Sequence, residues 1–280
     1  MFGIAIAAMM YLPAQGAERL SKAEDGACQR SAFRVVVDVG HTVDSPGADS
    51  ARGVTEYSYN LQLADAVKQA LVGAGFDKTL RMVTSTRSLS GLLERAERAN
   101  SLRADLFISI HHDSVPDGLI QKWEYDGQQH QYCDRFKGYS IFVSRDNADC
   151  AGSIEFGHLL GAALQERGLH YTPHYTLALM GRHRHELLDS AAGVYRYDQL
   201  VVLRYTRMPA VLLEAGSIVN RAEEIELAKP ERRAVTAAAV ASAVEGFCTA
   251  QALARADNKR KPQPSVAAGT SRAKAASTDH

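Results

Sequence analysis

The sequence predicts an α/β protein, a single domain with a twisted, mostly parallel sheet flanked by helices on both faces. Short runs rich in valine and isoleucine alternate with segments whose apolar residues have a helical spacing, an order typical of such sheets. The chain has 280 residues, 46% hydrophobic and 23% charged, which is the composition of a globular domain with appendages. Its net charge is zero, so no overall positive field attracts nucleic acid.

Composition divides the chain into four parts. Residues 1–17 are expected to be a signal peptide, because an uncharged apolar run too short to span a bilayer ends there in small residues. No Lys or Arg precedes this run, which leaves the true start of the signal open, and a disordered or packed apolar N-terminus is the alternative. Residues 18–31 form a polar lead-in and residues 32–253 the main domain. Residues 254–280 are basic and poor in apolar side chains, which predicts a disordered tail.

The first half of the main domain predicts three strands and two helices. The strands cover residues 34–39, 79–84 and 105–110 and are rich in β-branched residues. One helix begins at Glu56, after a loop rich in Gly, Pro, Asp and Ser. The second helix follows Ser88 or Ser90, and we expect its arginines and glutamates to face water.

The second half adds a hairpin and further strands and helices. Asp126-Gly127 lies between two aromatic, polar runs and predicts a hairpin that either borders the substrate groove or is a surface excursion held by its cysteine. Strands are expected at 139–144, 199–205 and 210–213, a helix at 154–168, and a last helix from Pro230. Arg204 either binds a ligand carboxylate or, as we favour, forms a structural salt bridge.

Three of the predicted strands end on side chains that can bind a metal. His41 follows the first strand, His111 ends the third, and Glu214 follows the strand at 210–213. The carboxyl ends of parallel strands meet at one rim of a sheet, where ligands bind, and the loop after His41 returns at Glu56. Two histidines and one glutamate leave a fourth zinc position open for water, and the second glutamate remains as a general base. The spacing leaves open which glutamate has which role.

Four ordered segments resemble the motifs of a known family, the zinc-dependent N-acetylmuramoyl-L-alanine amidases of the amidase_3 type. They are VVVDVGHTVDSPGA, TEYSYNLQLADAVKQAL, RAERANSLRADLFISIHHDS and RMPAVLLEAGSIVNRAEE, and the resemblance covers about residues 33–247. It implies that His41, Glu56 and His111 bind zinc (Zn²⁺) and that Glu214 is the catalytic carboxylate. It also implies cleavage of the amide bond between the lactyl group of N-acetylmuramic acid and L-alanine in peptidoglycan.

The sequence departs from the family pattern close to these residues. Thr42-Val43 stands in place of a glycine pair, His112 in place of a small residue, and Ser217 where an aromatic is common. None is among the four site residues, so the departures concern the shape of the groove. Neighbouring residues of a strand point to opposite sides, so we expect His112 behind the ligands or in the core. Asp38 either orients a ligand imidazole or pairs inside the fold.

The four cysteines have no CxxC spacing, which disfavours a second metal site, and their even number fits an oxidising compartment. Of the three possible connectivities we favour Cys133–Cys150 with Cys28–Cys248, and four buried thiols are the alternative.

A loop at 170–185 contains four histidines, which we expect to be exposed rather than a second metal site, because no carboxylate or cysteine keeps a regular spacing with them. In regulated members of the family an insertion hereabouts can plug the zinc site. The loop is short for that, so we expect an unplugged or weakly gated site.

The resemblance implies a periplasmic or secreted enzyme whose partner is peptidoglycan. We expect no nucleic-acid partner, no integral membrane span and a monomer, and an activator protein is left open. Two alternatives remain, namely a zinc carboxypeptidase or endopeptidase of the stem peptide and a non-catalytic wall-binding module. Cobalt or manganese would fit the same ligands.

Overall fold

The computed structural model describes residues 28–85 and 89–260. The chain divides into a main unit, Cys28–Gln251, and a second unit made of the two ends, of which residues 252–260 are described. The predicted signal peptide therefore lies outside the described residues, as does most of the polar lead-in. The last helix continues to Arg260, so the tail predicted to be disordered from residue 254 begins with helix. The reason is that residues 252–260 contain good helix formers and no Gly or Pro.

In the described part of the chain, nine strands form one large sheet and one hairpin. They are β1 (Val35–Val39), β2 (Leu80–Met82), β3 (Leu106–Asp113), β4 (Gln121–Tyr125), β5 (Gln128–Tyr132), β6 (Ser140–Val143), β7 (Glu186–Asp189), β8 (Val194–Arg196) and β9 (Ala210–Ser217). The large sheet has the order β2-β1-β3-β9-β6-β8-β7, and β4 and β5 form the predicted hairpin. The first four strands of that order are parallel, and so are β6 and β8. The pairs β6–β9 and β7–β8 are antiparallel, so the sheet is mostly parallel, as predicted.

Helices cover both faces of the sheet. They are α1 (Glu56–Gly73), α2 (Leu89–Ser101), α3 (Cys150–Gln165), α4 (Val201–Arg204), α5 (Arg221–Leu227) and α6 (Pro230–Arg260). Alternate residues of the central strand β1 enter two different cores. Val35, Val37 and Val39 pack with α1, α3 and α6, whereas Val36 packs on the other face with α2 and α4.

The strand predicted at 199–205 is wrong, because this segment forms the short helix α4. A short apolar run fits a strand and a buried helix equally well. Here Asn147 stabilises the helix, because it donates to the carbonyl oxygens of Leu203 (2.7 Å) and Thr206 (3.0 Å). Arg204 lies before the amino end of β9, away from the rim that holds Glu214. It pairs with Asp146 at 3.4 Å on the surface, the structural salt bridge that the sequence favours.

One of the two predicted disulfides is present. Cys28–Cys248 is formed and joins positions 220 residues apart. The predicted Cys133–Cys150 bond is wrong, since both are free thiols. Cys133 donates its backbone N–H to Val219, beyond the carboxyl end of β9, whereas Cys150 opens α3, which packs against Pro209 at the other end of β9. An eight-residue strand is about 26 Å long, far more than a disulfide can bridge.

Within the described residues, one helical stretch, Pro230–Asn258 in α6, is long and apolar enough by composition to cross a membrane. Core packing accounts for part of its apolar side chains, because Val240, Val244 and Phe247 are fully buried against the sheet. The nearby Cys248 holds the same part of the helix to Cys28.

Candidate metal centre

The backbone at His41 is held by an arginine that the helical pattern predicts to face water. His41 has a left-handed backbone (φ 67°), which is unusual for a residue other than glycine. Arg95 of α2 is only 3% exposed, and its guanidinium donates to the carbonyl oxygens of Val39 (2.8 Å) and His41 (2.6 Å). The expectation that the arginines of this helix face water is therefore wrong for Arg95. Its spacing with Ala96 and Ala99 places it on the apolar stripe, a signal that could have revealed its burial.

Asp38 explains why this arginine is buried. The Asp38 carboxylate lies 3.3 Å from Arg95 Nη1 and accepts a hydrogen bond from Ser109 at 2.9 Å. It is completely buried and has no hydrogen bond to His41 or His111 in the described chain. Of the two alternatives for Asp38, the pairing inside the fold is the one that the structure contains.

Three of the predicted site residues meet at the carboxyl ends of β1 and β3. Glu56, the first residue of α1, lies with its Oε2 2.8 Å from His41 Nε2 and its Oε1 2.9 Å from His111 Nδ1. One ligand atom from each of the three residues lies within 4.8 Å of the others, so the group can hold a metal ion. Burial alone would raise the pKa of Glu56, but the hydrogen bonds and charges of His111 and His41 outweigh it and lower the pKa. The carboxylate is therefore ionised, as a metal ligand must be.

Two glycines leave the space that these side chains occupy. A Cβ atom on Gly40 would lie 2.3 Å from His111 Nε2, closer than any real carbon contact. A Cβ atom on Gly47 would lie 2.4 Å from Glu56 Oε2, and the φ of 82° at this residue also favours glycine. The loop between His41 and Glu56 can close on the site only because both positions lack a side chain.

A buried hydrogen-bond chain orients Glu56 from behind. Asn60, one turn further along α1, donates from Nδ2 to Glu56 Oε1 (3.1 Å) and to the Gly40 carbonyl oxygen (3.2 Å). Its Oδ1 lies 2.8 Å from His112 Nδ1. Burial lowers the pKa of His112 to about 3, so the imidazole is neutral and donates to this oxygen. His112 thus lies behind the candidate ligands, as expected, and supports Glu56 through Asn60.

Glu214 lies in the same pocket but outside the group of three. It is the register partner of His111 in the parallel pair β3–β9. Its Oε2 is buried and has no hydrogen-bond partner in the described part of the chain. Burial raises the pKa of Glu214 well above its ordinary value, and the negative charges of Asp113 and Glu56 raise it further. A raised pKa moves the carboxyl group toward the pH at which a general acid–base exchanges its proton.

These residues form the floor of an open pocket of about 600 Å³. Residues 113–118, which follow His111, line one side, and residues from the histidine-containing loop line another. This size is sufficient for a small ligand or for part of a larger one. The loop borders the pocket without filling it.

The four histidines of that loop have different environments. His170 and His183 are exposed, as predicted, and His185 is half-buried. The prediction is wrong for His174, which is 1% exposed, contacts Thr172 Oγ1 at 2.7 Å and stacks on Phe136. Burial lowers the pKa of His174 to about 4. Phe136 lies far from His174 in the sequence, in a segment whose composition is that of a surface loop. The sequence therefore did not reveal the burial of His174.

The β4–β5 hairpin packs beside the loop between His41 and Glu56. Trp123 donates from its indole N–H to the Ala51 carbonyl oxygen at 2.9 Å. The Arg52 guanidinium lies 5.3 Å from the Trp123 ring and 5.2 Å from the Tyr125 ring. None of these hairpin residues lines the pocket, and no disulfide holds the hairpin. Its contacts instead fix the loop between His41 and Glu56 from outside.

The parallel sheet, with two histidines and two glutamates gathered in one pocket at its rim, defines an α/β protein with a candidate catalytic metal centre. The chain matches the family model described as N-acetylmuramoyl-L-alanine amidase, Amidase_3, over residues 35–246, and therefore belongs to that family.

Two relatives are identical to this chain at about a quarter of the aligned positions. It is 25% identical over 232 residues to N-acetylmuramoyl-L-alanine amidase AmiC of Neisseria meningitidis serogroup B, covering 79% of this chain and 54% of AmiC. It is 26% identical over 195 residues to an endolysin of Bacillus phage SPP1, covering 70% of this chain and 58% of the endolysin. The chain thus spans little more than half the length of these two relatives.

A solved structure supports the fold. The N-acetylmuramyl-L-alanine amidase Ami1 of Mycobacterium smegmatis superposes with a TM-score of 0.60 at 20% identity, covering 79% of this chain and 98% of Ami1.

Proposed function

We propose that this protein is a zinc-dependent hydrolase that cleaves the amide bond between the lactyl group of N-acetylmuramic acid and L-alanine in peptidoglycan. One observation carries the proposal. His41, Glu56 and His111 form a group able to hold a metal, and Glu214 remains unpaired beside them in the same pocket. The family to which the chain belongs is named for this reaction.

The donor set fits zinc. Two imidazoles and one carboxylate are a common set of protein ligands in catalytic zinc sites, in which a fourth position is left for water or substrate. When bound, the metal would supply positive charge that polarises the scissile carbonyl and increases the acidity of water. Cobalt or manganese would accept the same donors, so metal analysis of the protein as purified decides which ion is used.

Glu214 would move the protons. A hydrolysis of this kind requires a base that removes a proton from the attacking water and an acid that protonates the leaving amine, because an unprotonated amine leaves poorly. Glu214 Oε2 is free of protein hydrogen bonds among the described residues and has a raised pKa. The same carboxyl group can therefore accept the proton and then donate it.

Replacing Glu214 by glutamine tests this role. The variant should bind metal like the parent, while kcat/KM falls by about 10²–10⁴-fold, the usual effect of losing a general acid–base. Glu155→Gln, an exposed carboxylate on α3, is the matched control and should be silent. Loss of metal from the Glu214 variant would make this residue a ligand instead.

Digestion of purified peptidoglycan tests the reaction as a whole. The protein is incubated with sacculi, with and without a chelator and after zinc is restored, and the soluble fragments are analysed by mass. Chelator-sensitive release of stem peptides that begin with free L-alanine is the expected result. Fragments cut only within the stem would favour the carboxypeptidase or endopeptidase, and binding without any release would favour the wall-binding module.

The proposed place of action is the periplasm or the exterior of the cell, with peptidoglycan as the partner and the protein as a monomer. The Cys28–Cys248 disulfide supports this, because such bonds persist in oxidising compartments. N-terminal sequencing of protein recovered outside the cytoplasm should show cleavage near residue 17, and sedimentation should give the mass of one chain. An activator protein would be indicated if sacculi were digested only after addition of a cell-envelope extract.

A further inference from the structure

A folded strap borders the candidate active site. We use this name for residues 174–185, which contain two short 3-10 turns. Tyr175 anchors the strap, since its hydroxyl donates to Asp113 Oδ1 at 2.7 Å and its carbonyl oxygen accepts from the N–H of His185 at 2.9 Å. Met180, within the strap, is buried. The strap therefore has a fixed position relative to the pocket floor.

A glycine in the strap reverses the chain at the pocket. Gly181 has φ 53° and ψ −120°, a conformation that residues with a side chain rarely adopt. Arg182 and His183 follow directly, and both line the pocket that contains Glu214. The next arginine, Arg184, is also exposed but does not line it.

The charge of Arg182 is not neutralised by the protein. Arg182 is exposed, and no carboxylate lies within ion-pair distance of it among residues 28–85 and 89–260. Its Nε donates to His183 Nε2 at 3.2 Å, and its two terminal nitrogens have no hydrogen-bond acceptor in the same part of the chain. Other arginines of the fold do have such partners, for example Arg221, which pairs with Asp134.

The floor and the side of the pocket therefore offer a ligand different chemical groups. Glu56 and Glu214 lie at the floor with the two histidines, whereas the strap adds a guanidinium without a carboxylate partner at the side. If the scissile amide of a ligand lies at the floor, a carboxylate elsewhere on the same ligand can reach the guanidinium at the side. Arginine binds carboxylates with paired, charge-assisted hydrogen bonds, so the strap offers that carboxylate a site.

We propose that Arg182 binds a free carboxylate of the stem peptide, so that the protein selects stems with ionised carboxyl groups over amidated stems. The inference rests on the proposed function, because it names a feature of the same substrate. Arg182 acts on specificity, since it holds a group away from the bond that is cleaved. His183 orients the guanidinium through the contact at Nε.

Two synthetic compounds of equal shape test the inference. They are N-acetylmuramoyl-L-alanyl-D-glutamate with both glutamate carboxyls free, and its diamide. Calorimetric binding to the full-length Glu214→Gln protein avoids turnover, and the active protein then gives kcat/KM for both compounds. The diacid should bind about tenfold more tightly than the diamide, the gain expected from one partly exposed charge-assisted contact. This preference should weaken at high salt.

Variants of the strap assign the effect. Arg182→Gln should bring the ratio of the two affinities close to one, and Arg182→Glu should reverse it. Arg184→Gln is the matched control, a nearby exposed arginine outside the pocket lining, and should retain the preference. Circular dichroism establishes that each variant is folded, which is expected because both side chains are exposed.

The outcomes separate this inference from the proposed function. Equal affinity of the parent protein for the two compounds, no binding of either, or a preference that persists in Arg182→Gln would overturn the inference. A preference that depends on Arg182, without hydrolysis of either compound, would support the carboxylate site and contradict the proposed amidase activity.

Discussion

Gly40 determines how closely the end of β1 approaches His111. In Gly40→Ala the new Cβ atom would lie 2.3 Å, 2.4 Å and 2.5 Å from three atoms of the imidazole, whereas ordinary contacts begin at 3.4 Å. The ring would have to move by about 1 Å, because close-packed interiors do not tolerate such overlap. A misplacement of about 1 Å in a catalytic group can cost about 10²-fold in rate. We therefore expect kcat/KM to fall about 100-fold and the metal to bind more weakly.

The stability change should be modest in comparison. Overpacking at one site costs about 1–3 kcal/mol, so the variant should remain folded at room temperature. The assays are metal affinity by competition with a chelator, kcat/KM on a soluble muramoyl peptide, and unfolding in urea. Gly246→Ala is the control, because its Cβ would have its nearest neighbour, in Leu159, at an ordinary 3.8 Å. This helix-interior change should stabilise the protein by up to about 1 kcal/mol. Unaltered metal affinity and activity in Gly40→Ala would refute the reasoning.

Three further predictions concern support of the site, the disulfide and pH. Asn60→Leu removes a donor to Glu56, so metal affinity should fall about 10–100-fold while the fold persists, as chelator competition and circular dichroism would show. Cys248→Ser opens a link across 220 positions and should lower the free energy of unfolding by about 2–5 kcal/mol. A reductant should destabilise the parent equally and leave this variant unchanged. The pKa of His174 is lowered to about 4 in the folded protein, so the unfolded chain binds more protons below its own pKa of about 6.5. Stability should therefore fall by up to about 3 kcal/mol as pH drops from 6.5 to 4. Urea unfolding at several pH values should show a smaller loss of unfolding free energy between pH 6.5 and 4 for His174→Gln than for the parent. An equal loss in both proteins would contradict the assignment to His174.

The position of the site could be predicted because it follows from local patterns. Val35–Val39 is a buried valine strand followed at once by a glycine and His41, and β3 has the same form before His111. In a parallel sheet such strand ends meet at one rim. Glu56 could also be predicted, because the loop after His41 ends at a recognisable helix start. The four site residues therefore lie in one pocket, as the sequence indicated.

The remaining errors arise from contacts between residues far apart in the chain. The burial of Arg95 depends on Asp38, 57 positions away, and the helix α4 depends on Asn147, 56 positions from Leu203. The failed Cys133 pairing depends on the length of β9, which separates the two thiols. Such partners cannot be read from local spacing. The same limit applies to Arg182, whose place at the pocket depends on the reversal at Gly181.

The central claim is that the protein hydrolyses the lactyl amide bond. Digestion in water labelled with ¹⁸O tests this claim most directly. Purified peptidoglycan is digested in labelled water by the metal-loaded protein, and the products are separated and analysed by mass. We predict one labelled oxygen in the lactyl carboxylate of N-acetylmuramic acid and unlabelled stem peptides that begin with a free L-alanine amine. Label in the carboxyl group of a stem residue, with the lactyl amide intact, would contradict the account.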